Sequence, residues 1–341
     1  MTSDSTTIKI LLLADTHLGF DQPLRPRVAR RRRGPDFFEN YQRCLVPALT
    51  GDVDLVVHGG DLFFRSRVSS RVIHDAFQPL IRIADQGVPV FLVPGNHERS
   101  NIPVTLLETH RNIHIFSQPK TFTREVKGRR IALSGFPFYR GSIREHFDTL
   151  LDQTEFSKQE ADIRALCLHQ SVEGAQVGVQ NYTFRPAPDV ISGHQIPDGF
   201  AAVLAGHIHR QQVLMTDLAG VTLNAPVFYP GSIERTSFAE RNERKGYLVI
   251  DIGCGASDVR WNFFELPTRP MAVIAIERSG LSADQLTGWL RDTLNRLDPN
   301  SVVQIRLPED FPDHLLKRLS APFLRSIAPA TMNISLSLFQ R

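Results

Sequence analysis

The sequence predicts an α/β fold built on a partly parallel, buried sheet. Nearly continuous apolar runs at residues 8–14, 54–58 and 88–93 have the character of strands buried on both faces. The segments between them, residues 37–49 and 69–84, have the apolar spacing of amphipathic helices. Strands that alternate with helices in this way are typical of parallel strands joined by crossover helices.

The rest of the first 266 residues predicts shorter elements. Strands are predicted at residues 113–116, 131–136, 164–168, 201–205, 211–216, 221–223, 227–229, 246–252 and 259–266, and a helix within the polar segment 142–160. The strands after residue 210 follow one another closely and indicate an antiparallel half of the fold. The segment 136–140 is open to two interpretations, a loop near the substrate or apolar packing, and packing is favoured.

Two prolines, Pro267 and Pro270, indicate a domain boundary, so we predict a main domain of residues 1–268 and a small domain of residues 269–341. The small domain has predicted strands at residues 271–276, 302–307 and 331–339. Its predicted helices are residues 282–297, with Ser282 as the N-cap, and residues 312–319. This α/β module has no ligand set of its own.

Composition predicts a cytoplasmic protein with no membrane contact. The three cysteines, Cys44, Cys167 and Cys254, are an odd number without metal-ligand spacing, which fits a reducing compartment. Residues 1–7 lack the order of a signal peptide, and no apolar run is long enough to span a bilayer. The formal charge of +3 permits nucleic acid as a partner without requiring it.

A basic segment follows the first strand. It contains Arg25, Arg27 and the run Arg30 to Arg33. Contact with DNA phosphates is one interpretation, and a solvated loop is the other. The position just after a metal-binding type of motif keeps the two interpretations about equal.

Polar residues that can bind metal follow several predicted strands, where open α/β sheets place their ligands. They are Asp15, His17, Asp61, Asn96, His97, His169, His207 and His209. Each has an ordinary structural explanation by itself, but together they predict a two-metal site. His58, within a strand, is more simply a packed residue, and the lone His194 is left out of the set.

Imidazole, carboxylate and amide ligands together suit Mn²⁺, Fe²⁺ or Zn²⁺ better than Mg²⁺. Two divalent ions carry four positive charges, and the carboxylates of Asp15 and Asp61 contribute only two negative charges. Even with a bridging hydroxide the centre stays positive and attracts phosphate. Two such ions, roughly 4 Å apart, can activate a shared water and stabilise in-line displacement at phosphorus.

The ordered set from Asp15 to His209 resembles the calcineurin-like metallophosphoesterases. The resemblance implies a four-layer αββα sandwich. It also implies that Asp15, His17 and His209 bind one metal ion, that Asn96, His169 and His207 bind the other, and that Asp61 bridges them. His97 would then stabilise the transition state or protonate the leaving oxygen as a general acid.

A narrower resemblance is to the SbcD-type DNA double-strand-break repair nucleases. It is carried by residues 17–19, 60–63, 94–97 and 229–235, and by the C-terminal module, which looks like a capping domain. The resemblance implies Mn²⁺-dependent 3′-to-5′ exonuclease activity on double-stranded DNA and endonuclease activity on single strands. It also implies a homodimer and an SbcC-type ATPase partner.

Two positions depart from that family, and two alternatives remain open. Phe64 stands where one branch has a histidine that supports the catalytic one, and Glu98 stands where many members have aspartate. The chain ends at Arg341 without an evident segment for the ATPase, so a nuclease without that partner is one alternative. The other is a small-molecule or cyclic-nucleotide phosphodiesterase or phosphatase with the same metal site.

Overall fold

The computed structural model describes residues 7–22, 31–98, 110–253, 258–276 and 282–338. The chain forms two compact units. The first consists of Met1–Phe20, Gly34–Glu234 and Glu243–Pro267, and the second of Asp21–Arg33, Arg235–Asn242 and Thr268–Arg341. The second unit therefore takes in two segments that precede the predicted boundary. A capping role for it stays a prediction.

The elements are numbered in chain order. The strands are β1 (Ile8–Leu13), β2 (Leu55–His58), β3 (Val90–Leu92), β4 (Ile113–Ile115), β5 (Lys120–Val126), β6 (Arg129–Gly135), β7 (Ile163–His169), β8 (Ser171–Val172), β9 (Gln176–Val177), β10 (Tyr182–Thr183), β11 (Val190–Ile191), β12 (Ala202–Gly206), β13 (Gln212–Thr216), β14 (Thr222–Tyr229), β15 (Gly246–Ile252), β16 (Val259–Glu265), β17 (Met271–Ala275), β18 (Val302–Leu307) and β19 (Asn333–Leu338). The α-helices are α1 (Gly34–Leu49), α2 (Ser70–Asp85), α3 (Ile143–Gln153), α4 (Ala283–Asn295), α5 (Asp313–Leu316) and α6 (Ala321–Ile327). Short 3₁₀ helices lie at Phe156–Lys158, Gly193–Gln195 and Phe238–Glu240.

Two six-stranded sheets form the first unit. The first sheet has the order β16-β15-β1-β2-β3-β4 and the second the order β13-β14-β12-β7-β6-β5. Strands β1 to β4 are parallel to one another, as are β6, β7, β12 and β14. The antiparallel strands lie at the edges of this arrangement, in β15 and β16 of one sheet and β5 and β13 of the other.

Alternation along β1 shows how the layers are built. Leu11 and Leu13 join the core beneath helices α1 and α2, whereas Ile10 and Leu12 join the core between the two sheets. A third core lies between the second sheet and α3. Because successive strand residues point to opposite faces, β1 must be apolar throughout, as its sequence is. The first unit is thus the predicted four-layer αββα sandwich.

The second unit contains a three-stranded parallel sheet of order β17-β18-β19, with α4, α5 and α6 around its own apolar core. Arg25, Arg27 and Arg30 lie outside the described residues. The guanidinium of Arg33 is buried and donates to the carbonyl oxygen of Arg235 over 2.6 Å, so neither interpretation of the basic run is right for this residue.

Several local predictions differ from the structure. Strand β5 was not expected, because it is a half-buried edge strand with charged residues at both ends. Predicted strands 221–223 and 227–229 are one strand, β14, which continues through Pro226.

Cys44 and Cys167 are free and buried, and Cys254 lies outside the described residues. No helix in the described part of the chain has both the length and the apolar character needed to cross a bilayer.

Candidate metal centre

The candidate residues lie on the loops at the carboxyl ends of strands from both sheets. The two sheets meet closely here, because a Cβ atom on Gly206 would lie 2.3 Å from the carbonyl oxygen of Gly59. Only glycine allows this approach. The backbone is also unusual, since φ is positive at Asp15 (50°), Asp61 (52°) and His207 (86°). Left-handed backbone at residues with a side chain is uncommon and concentrates at functional sites.

Asp15, His17 and His209 form one cluster of possible ligands. The Nε2 atoms of His17 and His209 lie 3.0 Å apart. The carboxylate of Asp15 accepts a hydrogen bond from the backbone N–H of His207, at 3.1 Å to Oδ2. Asp15 and His17 are fully buried. The structure therefore brings together the three residues predicted to share a metal ion.

Asn96, His169 and His207 form a second cluster. The Oδ1 atom of Asn96 lies 3.1 Å from Nε2 of His169 and 3.1 Å from Nδ1 of His207. The other ring nitrogen of His169, Nδ1, donates to the carbonyl oxygen of Gly59 over 2.7 Å. That bond leaves Nε2 as the ligand atom and orients the ring, as an outer hydrogen bond commonly does for a metal-binding histidine.

Asp61 lies between the two clusters. Its Oδ2 atom is 3.5 Å from Nε2 of His169, and its carboxylate also groups with Asp15 and with His17. The Oδ1 atom accepts a hydrogen bond from the backbone N–H of His97 over 2.9 Å. One carboxylate thus adjoins both sets of ligands, which is the position that a bridging residue needs.

His97 is oriented by the backbone of Phe64. Its Nδ1 donates to the carbonyl oxygen of Phe64 over 2.6 Å, and the Phe64 ring packs 5.7 Å from the imidazole. Nε2 of His97 is left facing Asp61, at 3.8 Å from Oδ2. Phe64 therefore supports the imidazole of His97 with its main-chain carbonyl and not with a polar side chain.

Two glycines leave the room that the ligands occupy. A Cβ atom on Gly60 would lie 2.1 Å from Nδ1 of His169, and one on Gly95 would lie 2.1 Å from Oδ1 of Asp61. Gly60 also has a φ of 111°, which a residue with a side chain rarely adopts. Gly60 and Gly95 are therefore required, because a side chain at either position would collide with a candidate ligand.

Burial and charge shift the pKa values of the cluster strongly. Burial raises the pKa of Asp15, although the charges of His169 and His209 oppose this. Burial also acts to raise the pKa of Asp61, but the charge and hydrogen bond of His169 outweigh it and hold that pKa far below its usual value. Burial lowers the pKa of His207 to about 3. His207 is therefore neutral at ordinary pH, as a metal ligand must be.

The donor set fits divalent ions by charge and by spacing. Asp15 and Asp61 are buried, and no lysine or arginine in the described ranges forms an ion pair with either. Buried carboxylates without such partners are costly unless a cation compensates them. With metal–ligand distances of ~2.1 Å, neighbouring ligands lie roughly 3.0–3.4 Å apart, and the 3.0 and 3.1 Å separations measured here match this.

Glu98 joins the two loops that carry Asp61 and Asn96. Its Oε1 accepts from the backbone N–H of Phe63 and its Oε2 from that of Gly95, both over 2.7 Å. The side chain is buried, so both bonds are shielded from water. The extra methylene relative to aspartate gives Glu98 the reach to hold both loops at once.

The segment 229–235 supports the ligands from outside. The hydroxyl of Tyr229 donates to the carbonyl oxygen of Gln170 over 2.9 Å, next to His169. Ser232 donates its backbone N–H to the carbonyl oxygen of His209 over 3.1 Å. The segment 229–235, which was quoted for the narrower resemblance, thus contacts two loops that carry candidate ligands, through Tyr229 and through Ser232.

Sequence reasoning missed Lys245, which donates from Nζ to the same His209 carbonyl and to Glu243. Nothing in the local charged pattern distinguishes this lysine from its exposed neighbours. Of the remaining histidines, His58 is packed as predicted, between Thr16 and the Gly60 backbone.

The segment 136–140 packs into the core, as favoured from the sequence, and also lies beside the candidate metal centre. Phe136 is buried in the core, whereas the ring of Phe138 lies 5.5 Å from that of His207. The exposed guanidinium of Arg140 donates to the carbonyl oxygen of Asn96 over 3.1 Å. A cation is therefore present beside the residue Asn96 of the candidate site.

Comparisons with known proteins agree with this geometry. Residues 8–211 match the calcineurin-like phosphoesterase domain. The chain is similar to the DNA double-strand break repair protein Mre11 of Haloferax volcanii, with 29% identity over 273 residues, 80% of this chain and 55% of that protein. Mre11 of Archaeoglobus fulgidus is 24% identical over 327 residues, 88% of this chain and 68% of that protein. The uncharacterized metallophosphoesterase YhaO of Bacillus subtilis is 25% identical over 316 residues, 89% of this chain and 71% of that protein. This chain thus spans little more than half the length of the Haloferax protein.

Proposed function

The chain belongs to the calcineurin-like phosphoesterase family, and from that premise we propose that it is a Mn²⁺-dependent DNA repair nuclease. The proposed activities are 3′-to-5′ exonuclease activity on double-stranded DNA and endonuclease activity on single strands. The observation that carries the proposal is the joining of both ligand clusters through Asp61. The relatives named as DNA double-strand break repair proteins support DNA as the substrate.

In this proposal Asp15, His17 and His209 hold one ion, Asn96, His169 and His207 hold the other, and Asp61 bridges them. When bound, the two ions would supply a positive centre for the phosphodiester and an activated water. Mn²⁺ suits the mixed nitrogen and oxygen ligands, and Fe²⁺ and Zn²⁺ fit the same set.

The role of His97 follows from its hydrogen bonds. Because Nδ1 is committed to the carbonyl oxygen of Phe64, the proton that can be transferred is carried at Nε2, on the side of Asp61. His97 would thus stabilise the transition state or donate a proton to the leaving oxygen. Arg140, which is anchored to the Asn96 carbonyl, would neutralise the phosphate as it enters.

The test is digestion of linear double-stranded DNA with labelled ends in Mn²⁺. His97→Ala should lower the cleavage rate about 100-fold or more, as expected for loss of a general acid. The control is His74→Ala, the same change at an exposed histidine of α2. Equal cleavage by both variants would remove His97 from the mechanism.

The same assay distinguishes a DNA nuclease from a phosphodiesterase that acts on small molecules. If wild-type protein leaves DNA intact but hydrolyses bis-p-nitrophenyl phosphate, the protein is a small-molecule phosphodiesterase with this site. A DNA nuclease should instead prefer DNA and lose affinity for it as salt concentration rises.

The proposed partners rest on the resemblance to the SbcD-type nucleases. We propose a homodimer, which light scattering on the eluting protein would test directly. An SbcC-type ATPase partner and a cytoplasmic location belong to the same proposal, and a nuclease that works without the ATPase is the alternative. Co-expression with a candidate ATPase, followed by purification through a tag on one protein, separates these two cases.

A further inference from the structure

A cavity of about 480 Å³ lies along strands β4 and β5, away from the residues of the metal centre. Each of these strands is an edge strand of its sheet. The nitrogen-bearing side chains that line the cavity are those of His110, Arg111, His114, Gln118, Lys120 and Arg124. No carboxylate belongs to the lining.

Three of these side chains are cations without a carboxylate partner. Lys120 and Arg124 are four residues apart on β5 and so share one face of the strand with Phe122. The ammonium of Lys120 lies 5.1 Å from the Phe122 ring, and neither it nor Arg111 forms an ion pair with any residue in the described ranges. Arg124 donates to two carbonyl oxygens, at 2.7 Å to Thr123 and 3.4 Å to Arg111. Three cations thus line the cavity, and Asp85, which lies 3.1 Å from Nε2 of the lining residue His110, is paired with that histidine and not with them.

His114 adds a neutral donor. Its Nδ1 accepts a hydrogen bond from Arg124 over 3.2 Å, so the ring hydrogen lies on Nε2. Burial, together with Arg124, Lys120 and His110, keeps the ring neutral by lowering its pKa to about 4. Nε2 is buried and has no hydrogen-bond partner among the described residues. A buried N–H without an acceptor is unfavourable, and this one belongs to a residue that lines the cavity.

We propose that this cavity is a metal-independent phosphate site, which takes a phosphate group of a DNA strand or of a free nucleotide. Three cations and one neutral N–H donor match the charge and the acceptor oxygens of a phosphate. Nothing in this arrangement needs a metal ion. The site is therefore additional to the proposed hydrolytic centre.

The test uses the double variant Arg111→Gln/Lys120→Gln in EDTA, where the metal centre is empty. Both side chains are exposed, so the change should not disturb folding. The matched control is Lys158→Gln/Arg260→Gln, which removes the same charge from two exposed residues that pair with Glu155 and Asp258. Binding is measured separately with labelled duplex DNA, with deoxyadenosine monophosphate and with inorganic phosphate.

If the cavity holds the DNA backbone, the double variant binds duplex DNA at least tenfold more weakly than the control. The plot of log K against log salt concentration for the double variant should also be less steep than that of the control, by about 1.8, because two phosphate contacts are lost and each contributes about 0.9. If the cavity holds a free nucleotide, the loss appears with the mononucleotide and phosphate and not with DNA. Equal binding by the double variant and the control in every arm overturns the proposal.

A spectroscopic measurement checks the site itself. In wild-type protein with ¹⁵N-labelled histidine, phosphate should shift the Nε2 resonance of His114, which is identified by its absence in His114→Gln. An unchanged resonance at saturating phosphate contradicts the site. Because these experiments contain no metal ion, their outcome is independent of whether the metal centre cleaves DNA.

Discussion

The ammonium group of Lys245 is fully buried and donates a hydrogen bond over 2.9 Å to the carbonyl oxygen of His209, a proposed metal ligand. The same group pairs with Glu243 at 3.0 Å, and Glu243 in turn pairs with Arg210. A buried charge is stable only when it is paired and hydrogen-bonded in this way. The network therefore connects the backbone of a ligand loop to the start of strand β15.

We predict that Lys245→Met weakens Mn²⁺ binding about tenfold or more, the usual effect of losing a residue that positions a ligand. The free energy of unfolding should also fall, by about 1.5–3 kcal/mol, because charged hydrogen bonds are lost. Calorimetric titration with Mn²⁺ and denaturant unfolding measure the two effects. Arg244→Met, at an exposed residue paired with Glu265, is the control. Wild-type affinity in Lys245→Met would show that the loop holds His209 without this lysine.

Gly95→Ala should abolish metal binding. The new methyl group would lie 2.1 Å from Oδ1 of Asp61 and 2.5 Å from its backbone nitrogen, so it would displace both the proposed bridging carboxylate and the loop that carries it. We expect Mn²⁺-dependent cleavage to fall at least 100-fold, and circular dichroism checks whether the variant is folded. Gly288→Ala is the control, since a Cβ atom there meets nothing within 4 Å. Retained metal affinity in Gly95→Ala would contradict the bridging role of Asp61.

The sequence predicted most of the long strands and the residues that cluster at the candidate metal centre, for a physical reason. A strand buried on both faces must be apolar throughout, so polar residues that follow it stand out, as Asp15 does after β1. Parallel strands then bring their carboxyl ends together, which places Asp15, Asp61 and Asn96 in one region. The pattern along the chain therefore contained both the residue types and their approximate location.

Other features depend on contacts that no local pattern reveals. Lys245 stands in a run of charged residues, and its partner His209 is 36 residues away. Phe64 looks like the loss of a supporting side chain, but the support comes from its carbonyl oxygen, which any residue has. The cavity proposed to bind phosphate likewise combines two edge strands, of which β5 was not predicted from the sequence. Such features require the fold itself.

Glu98→Gln should separate the two loops that Glu98 joins. The carboxylate accepts from the N–H groups of Phe63 and Gly95, but an amide has only one acceptor oxygen and would direct its NH₂ group at the other donor. We expect the free energy of unfolding to fall by about 1–3 kcal/mol and the cleavage rate to fall with it. Glu39→Gln, at an exposed residue of α1, is the control for thermal unfolding. Equal melting temperatures for the two variants would show that the loops are held by other contacts.

His114 should make stability depend on pH in a defined window. Burial and the neighbouring Arg124, Lys120 and His110 lower its pKa from 6.5 to about 4. Between these values the unfolded chain binds a proton that the folded protein does not, so the free energy of unfolding decreases as the pH falls from 6.5 to 4. His114→Gln removes this contribution, so the free energy of unfolding of the variant should fall less steeply across the window. The difference between the two slopes corresponds to at most about one bound proton. Urea unfolding at half-unit pH steps measures the slope, with His74→Gln on the surface of α2 as the matched variant. Parallel curves for wild type and His114→Gln would show that the folded protein protonates His114 as readily as the unfolded chain does.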